Sequence, residues 1–311
     1  MLSYHKFIIL LALFDKIVVK FTFKMKTLIQ KIHLNEQESF ACRTYRTPDF
    51  ETNWHKHDEF ELIVITEGHG TVMMGDHIGE YKTGDVYFLA GNLPHWFKKQ
   101  HNKMIGSALV LHFKQDIFGM EFLQLSELKN VRNLIQKNDG LQILAALKKE
   151  ISSAMFQMET LQGFQRINLL LQCLQKISYS NSIVTLTQNF ESSNAHIDPA
   201  IEKIIDYSFK HYLTPVTLQQ VANIASMSIP TFCRFFKKNI KKTYFDFIQD
   251  LRISHAGKLL TNTNKPILEI CYESGYNSWA HFSKQFKQVK KMTPSKYRQV
   301  MVGNELAKET R

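Results

Sequence analysis

Two stretches fifty residues apart carry the same residue types in the same order. They are Ser228-x-x-x-Phe232-x-Arg234-x-Phe236-Lys237 and Ser278-x-x-x-Phe282-x-Lys284-x-Phe286-Lys287. Each reads as a helix: a serine caps the start by accepting an orphan backbone N–H, and two phenylalanines at i and i+4 bury one face. The opposite face then carries Pro230, Thr231 and Arg234 in the first copy, and Ala280, His281 and Lys284 in the second. A guanidinium fork at Arg234 can donate two parallel hydrogen bonds to a flat acceptor pair, as guanine O6 and N7 present in a major groove. Lys237, Lys238 and Lys287 lie one turn later and suit phosphate oxygens. A single basic helix is more often a solvated face. Two equivalent ones in a basic segment point to duplex DNA.

The surrounding elements must hold those faces outward. Upstream of each helix, Val221 and Ala225 correspond to Cys271 and Gly275, so each copy is a helix, a tight turn and a second helix. Small residues (Ala222, Ala225, Gly275) let the paired helices approach closely. Between the copies, Tyr244 to Leu260 reads as one helix, whose roughly 17 residues span about 25 Å. That length suits two reading heads in successive major grooves, about 34 Å apart. Asp198-Pro199 supplies an N-cap and a proline at the first helical position, opening a helical domain over 198–300. The polar, aperiodic stretch 187–197 reads as the linker before it. Residues 197–303 hold 16 Lys/Arg and 7 Asp/Glu, a net +9 of the chain's +11. Polyanions are therefore the partners to expect of this domain.

These residues resemble the AraC/XylS family of transcription regulators. The match runs through Val221-Ala222-x-x-Ala225-x-Met227-Ser228, then Phe232-x-Arg234-x-Phe236-Lys237, then Arg252-Ile253-x-x-Ala256-x-x-Leu259-Leu260. It continues in Ile270-x-x-x-x-Gly275-Tyr276-x-Ser278 and ends in Phe286-Lys287, Thr293-Pro294 and Tyr297-Arg298. The resemblance implies a sequence-specific DNA-binding regulator under the control of a small effector, an activator with RNA polymerase as a further partner or a repressor, according to where its operator lies. One departure is plain: Lys241 and Lys291 stand where such proteins usually carry glycine after each second helix. Each lysine must take the left-handed conformation at some cost, or the helix must end differently.

The first half has other periods. From Phe40 to Phe113, short β-runs (Glu59–Thr66, Gly70–Met74, Val86–Ala90, Ile105–Phe113) are divided by Gly and Asp turns, as in a small barrel or jelly roll. From 114 to 186 the period becomes helical. Leu144, Leu147, Ile151 and Met155 form one stripe, and Phe164, Ile167, Leu170, Leu171 and Leu174 another. These helices either cover the barrel or pair two subunits as a homodimer.

Residues 25–113 resemble the cupin-like sensor that precedes this DNA-binding domain in many family members. The resemblance rests on Trp54-His55-x-His57-x-x-x-Glu61, Gly68, Gly84-Asp85 and Pro94-His95, with Ala90 where the second cupin motif carries proline. It implies two alternatives for one set of residues. His55, His57, Glu61 and His95 could ligate a divalent metal; three imidazoles and a carboxylate suit Zn, Mn, Fe or Ni. Otherwise no cofactor is expected, and the same residues line an effector pocket in which Trp54, Tyr87 or Trp96 stacks on a ring, the effector class implied by the family being a sugar. A bland reading, histidines that only satisfy the core, stands beside both.

The fold class expected is α+β in two domains: a cupin-like β-barrel with flanking helices, then an all-α domain with two helix-turn-helix units. The chain's 311 residues, 44% hydrophobic and 22% charged, accommodate both. Cys42, Cys173, Cys233 and Cys271 lack C-x-x-C spacing, which fits a reducing, cytoplasmic setting and neither a zinc knuckle nor a disulfide framework. Residues 1–24 read as a dispensable extension or an upstream mis-start, with a weak membrane tether as the rival reading; the apolar run Phe7–Phe14 is too short to span a membrane. No nucleophile, phosphate loop or carboxylate pair marks an enzyme. The alternative is a metal-dependent cupin enzyme fused to a DNA-binding module.

Overall fold

Strand alternation decides what the N-terminal half encloses. The computed structural model describes residues 38–309 apart from 49, 51–52, 102, 120, 138 and 188–197. The expected extension over 1–24 and nearly all of the expected linker lie outside the described residues. Seven strands come first: β1 (Ala41–Arg46), β2 (Phe60–Glu67), β3 (His69–Met74), β4 (His77–Lys82), β5 (Val86–Leu89), β6 (His95–Lys99) and β7 (Ser107–Phe113). Then follow α1 (Lys129–Gln136), β8 (Gly140–Ile143), α2 (Ala145–Thr160), α3 (Gly163–Tyr179) and β9 (Ile183–Thr187). One six-stranded sheet has the order β1-β7-β2-β5-β8-β9 and packs over a three-stranded sheet, β4-β3-β6. All pairings are antiparallel.

The central strands β2 and β7 are apolar on both faces because both faces are covered. Leu62 and Val64 of β2, with Leu109, Leu111 and Phe113 of β7, pack beneath Leu147, Ile151 and Met155 of α2 and Leu170 and Leu174 of α3. Their neighbours Ile63, Ile65, Ala108 and Val110 turn the other way, onto Val72, Met74 and Phe97 of the smaller sheet. The helical stretch thus belongs to the barrel, covering one face, and its own strands β8 and β9 extend the large sheet. Part of each stripe stays outside: Phe164 is 80% exposed, and Leu144 and Ile167 are also open to solvent.

The C-terminal half is helical: α4 (Pro199–His211), α5 (Leu218–Ile224), α6 (Ile229–Ile240), α7 (Tyr244–Asn262), α8 (Ile267–Glu273), α9 (Trp279–Lys290) and α10 (Pro294–Glu309). Polar caps set the starts. Asp198 accepts from Ala200 N, Thr217 forms a capping box with Gln220, and Ser228, Thr243 and Ser278 accept from the third residue onward. Lys241 (φ 62°) and Lys291 (φ 58°) do take the left-handed conformation that ends α6 and α9.

Two separate cores lie along α7. Its first half (Tyr244, Phe247, Leu251) packs with Ile204, Val221, Phe232 and Phe236, and its second half (Ile253, Ala256, Leu260) with Ile270, Tyr276, Phe282 and Phe286. All five phenylalanines named are fully buried, and truncating any to alanine costs on the order of 3–5 kcal/mol. The turn between α8 and α9 locks the units together. At Gly275 (φ +78°) a Cβ would come within 2.9 Å of Leu213 O and 3.1 Å of Arg252 Nε.

Candidate functional site

The structure carries two candidate sites. On the helical domain, the buried phenylalanines leave one face of α6 and of α9 in solvent. Pro230, Thr231, Arg234, Lys237 and Lys238 are all exposed on the first, and Ala280, His281, Lys284 and Lys287 on the second. Ser228 Oγ accepts from Thr231 N at 3.4 Å and meets Thr231 Oγ1 at 2.9 Å; Ser278 accepts from His281 N at 3.5 Å. The caps orient each helix start while leaving its side chains free. Trp279, in the first turn of α9, is also exposed, its ring 5.7 Å from that of Phe282.

A matched pair of arginines holds each unit closed. Arg252 on α7 donates from Nε to Tyr212 O at 2.6 Å and from a terminal nitrogen to Thr214 O at 3.0 Å. Arg298 on α10 does the same to Leu260 O (3.3 Å) and Lys265 O (2.7 Å). Each satisfies carbonyls at the end of the helix that precedes a helix-turn-helix.

The second site lies inside the barrel. Strand parity turns Glu61 of β2 and His112 of β7 inward, and the two residues are directly opposed in the sheet register. His95 opens β6, and His55 pairs with it in an isolated bridge, with backbone N···O distances of 3.2 and 2.9 Å. His57 follows two residues later. All five side chains are buried.

Hydrogen bonds fix how these rings present themselves. His55 Nδ1 donates to Asn53 O (2.8 Å), His57 Nδ1 to Glu59 O (3.0 Å) and His95 Nδ1 to Leu93 O (2.8 Å). A carbonyl can only accept, so Nδ1 holds the proton and, in the neutral ring, Nε2 keeps its lone pair. Burial and the neighbouring His95 and His57 hold His55 well below the usual imidazole range, so its ring is neutral. The Nε2 atoms of His95 and His57 lie 3.0 and 3.7 Å from Glu61 Oε2. All three atoms are buried and find no hydrogen-bond partner among the described residues. His112 Nε2 lies 3.0 Å from the other oxygen, Oε1. Burial pushes the Glu61 carboxyl up, but the facing His95 and His112 rings outweigh it and hold it well below the usual carboxylate range.

Acceptor atoms converging in a buried site are unfavourable without a proton, a cation or another donor between them. A proton satisfies one such pair; a metal ion satisfies them all. The ligand atoms of His55, His57 and His95 lie within 4.8 Å of one another, as do those of His57, Glu61 and His112. Backbone carbonyls orienting the far nitrogen of each histidine are the usual outer shell of a metal site. The donor set therefore fits a divalent transition metal.

The adjoining cavity measures about 50 Å³ and is lined by Tyr45, Phe50, His55, Glu61, His95 and His112 among others. Trp54 and Trp96 do not line it. They border a separate cleft of about 390 Å³ with Glu202, Lys203 and Asp206 of α4. Tyr87 is buried between the sheets, its phenol 3.4 Å from Glu80 O and 3.5 Å from Asp85 Oδ2. His112 was missed in the sequence because no motif includes it. Its only signal is a lone imidazole at an inward position of an apolar strand.

Comparison with known proteins covers both halves. Residues 39–163 match the family model of the AraC-like ligand binding domain, and residues 221–300 match a helix-turn-helix domain model. The chain is 23% identical over 255 residues to the transcriptional regulator YdeC of Bacillus subtilis, covering 79% of this chain and 86% of that one. It is 22% identical over 251 residues to the transcriptional activator RhaR of Mannheimia succiniciproducens, covering 78% and 86%. Over 81 residues it is 37% identical to a transcriptional regulator of Haemophilus influenzae, covering 26% and 27%.

Proposed function

The chain belongs to the AraC family of transcriptional regulators, and from that premise we propose that it reads DNA with α6 and α9 under the control of a divalent metal ion bound in its barrel. Sequence-specific DNA binding and a ligand-binding N-terminal domain come with the family. The finer assignments are ours. Arg234 and Lys284 are the base-reading residues, with Pro230, Thr231, Ala280 and His281 against the groove. Ser228, Ser278, Lys237, Lys238 and Lys287 meet the backbone.

The observation that carries the metal reading is the convergence, beside a cavity of about 50 Å³, of Nε2 and Oε2 atoms with no hydrogen-bond partner among the described residues. Ordinary small-molecule pockets start near about 300 Å³, so this cavity accommodates an ion and its waters but no sugar ring. His55, His57, Glu61 and His95 would hold the ion, and His112 would orient the carboxylate. The ion supplies a positive charge that pulls these strands together; no bond is made or broken. The same smallness argues against the metal-dependent enzyme alternative, which needs room for an organic substrate beside the metal. Activation is the role that the similarity to the activator RhaR suggests; we read it as exerted in the cytoplasm on RNA polymerase, and a second copy of the chain is the partner that the exposed Phe164 and Ile167 on α3 would suit. Among the described residues no helix is long and apolar enough to cross a membrane.

The test is direct. Equilibrium dialysis of the full chain against Zn²⁺, Mn²⁺, Fe²⁺ or Ni²⁺ should retain one equivalent of an ion, lost in His57→Ala and Glu61→Gln. Selection from sheared genomic DNA, with that ion present, should enrich sites with two half-sites one helical turn apart. Retention of DNA without any shared motif would overturn the base-reading assignments, and no retained ion would overturn the metal.

A further inference from the structure

His55 and His95 each stand beside a tryptophan in the chain. Extended backbone alternates, so the residue after an inward histidine faces out. Trp96 follows His95 in β6 and leaves the barrel on the side of α4, where its ring meets Phe209 edge-on at 4.7 Å between centroids. Lys98, two residues on, sets its ammonium 4.9 Å from the Trp96 ring and 5.3 Å from the Phe209 ring. Trp54 precedes His55 and is buried, and Met73 is the cross-strand partner of Trp96. Trp54 and Met73 share one apolar cluster with Ile201, Ile204 and Ile205 of α4, and that cluster runs on to Phe232 and Phe236 of α6. The core of the second unit includes no barrel residue among those described.

We propose that Trp54 and Trp96 pass metal occupancy to the DNA-binding domain, and that the first helix-turn-helix unit is the one addressed. This inference rests on the metal reading above. His55 and His95 belong at once to the ligand set and to the backbone bridge that carries the two tryptophans. Drawing their Nε2 atoms onto one ion moves that bridge, and with it the apolar grip on α4. An ion biases the seam only by binding its two arrangements with different affinity. Shared residues supply that difference. The second unit is reached along α7 and through Lys290 of α9, which faces His77 and Glu80 of β4, and among the described residues it shares no apolar core with the barrel. Their packing against α4 also explains why two tryptophans beside the histidines line no part of the barrel cavity.

The experiment uses the full chain and Zn²⁺, Mn²⁺ or Ni²⁺ added alone. In Trp279→Phe the remaining tryptophans are Trp54 and Trp96, and their emission should change as the ion is titrated. With operator DNA, the ion should shift the Kd of the unmodified chain by a factor on the order of 5 to 150. Trp96→Ala should still bind one equivalent of the ion while that shift collapses, and Trp96→Phe, which keeps a ring against Phe209, should restore much of it. Amide exchange on the unmodified chain needs no variant: the ion should alter protection over 199–240 more than over 267–290. A Trp96→Ala chain that binds the ion and keeps the full shift overturns the inference and leaves the metal reading intact, as does equal protection change in both units. A chain that binds none of these ions overturns both.

Discussion

His112 Nε2 stands 3.0 Å from Glu61 Oε1 across the β2–β7 pair, which leaves Oε2 turned toward His57 and His95. One carboxylate oxygen is thereby held by a hydrogen bond and the other is offered to the centre of the cluster. Removing His112 frees the carboxylate to rotate. His112→Ala is expected to weaken metal binding 10- to 100-fold, roughly the effect of losing an outer partner of a ligand. Competition against a chromophoric chelator measures it, and undiminished affinity would deny His112 that role.

The two classes of DNA contact should separate cleanly. Arg234→Ala is expected to cost about 1–3 kcal/mol on the preferred site and to relax its sequence preference. Lys237→Ala should weaken all duplexes alike and lower the salt slope by about 1. Kd values across a range of salt on matched and scrambled duplexes distinguish them; a uniform loss from Arg234→Ala would make Arg234 a phosphate contact.

Arg252 is expected to be a stability residue with no direct share in DNA reading. Its two hydrogen bonds hold Tyr212 O and Thr214 O. Arg252→Ala should cost the fold about 1.5–3 kcal/mol for each, the range for hydrogen bonds to a charged group. Urea denaturation reads this as a lower midpoint. Arg298→Ala, its counterpart, should act similarly on the second unit. A variant with unchanged midpoint but weakened DNA binding would reverse the assignment.

Acid should loosen the contact between β4 and the helical domain. Burial and the facing Lys242 and Lys290 push His77 down to about 4, with Asp76 opposing them weakly. Its unfolded value is near 6.5. Above that both states are neutral and stability is flat with pH. As pH falls from about 6.5 to 4 the unfolded chain takes the proton first, so this contribution is lost, to a total of about 3 kcal/mol. Glu80 on the same strand works oppositely. Burial raises its carboxyl against Lys258, Lys290 and Lys82, so the comparison must be with His77→Gln. That variant should lose stability less steeply than the parent chain over this interval. Parallel curves would place the proton uptake elsewhere.

The helical domain was the more legible half. Its repeat is visible because both copies solve the same local problem, a capped helix that buries two phenylalanines, and the residues expected on the outer face are exposed. Lys241 and Lys291 left the helix ends open in sequence, and both take the left-handed turn. The barrel was harder. β4 and β6 carry Gly79, Glu80, Lys98 and Lys99 within short strands, which masks their alternation. β8 and β9 sit inside a stretch whose dominant period is helical, so a segment that builds two strands read as helix alone.

Residue types, caps and local periods determined by themselves that this chain has a β-rich half and a duplicated helix-turn-helix half, since those features depend on neighbours a few positions apart. Tertiary structure decided what depends on distant neighbours. Trp54 and Trp96 sit beside motif histidines in the chain, yet strand alternation puts rings and imidazoles on opposite sides of one sheet. Glu61 and His112 are 51 positions apart in sequence and meet only because β2 and β7 pair in that register. A sequence records which side chains are available; the pairing of strands and the docking of α4 on β6 determine which of them share a space.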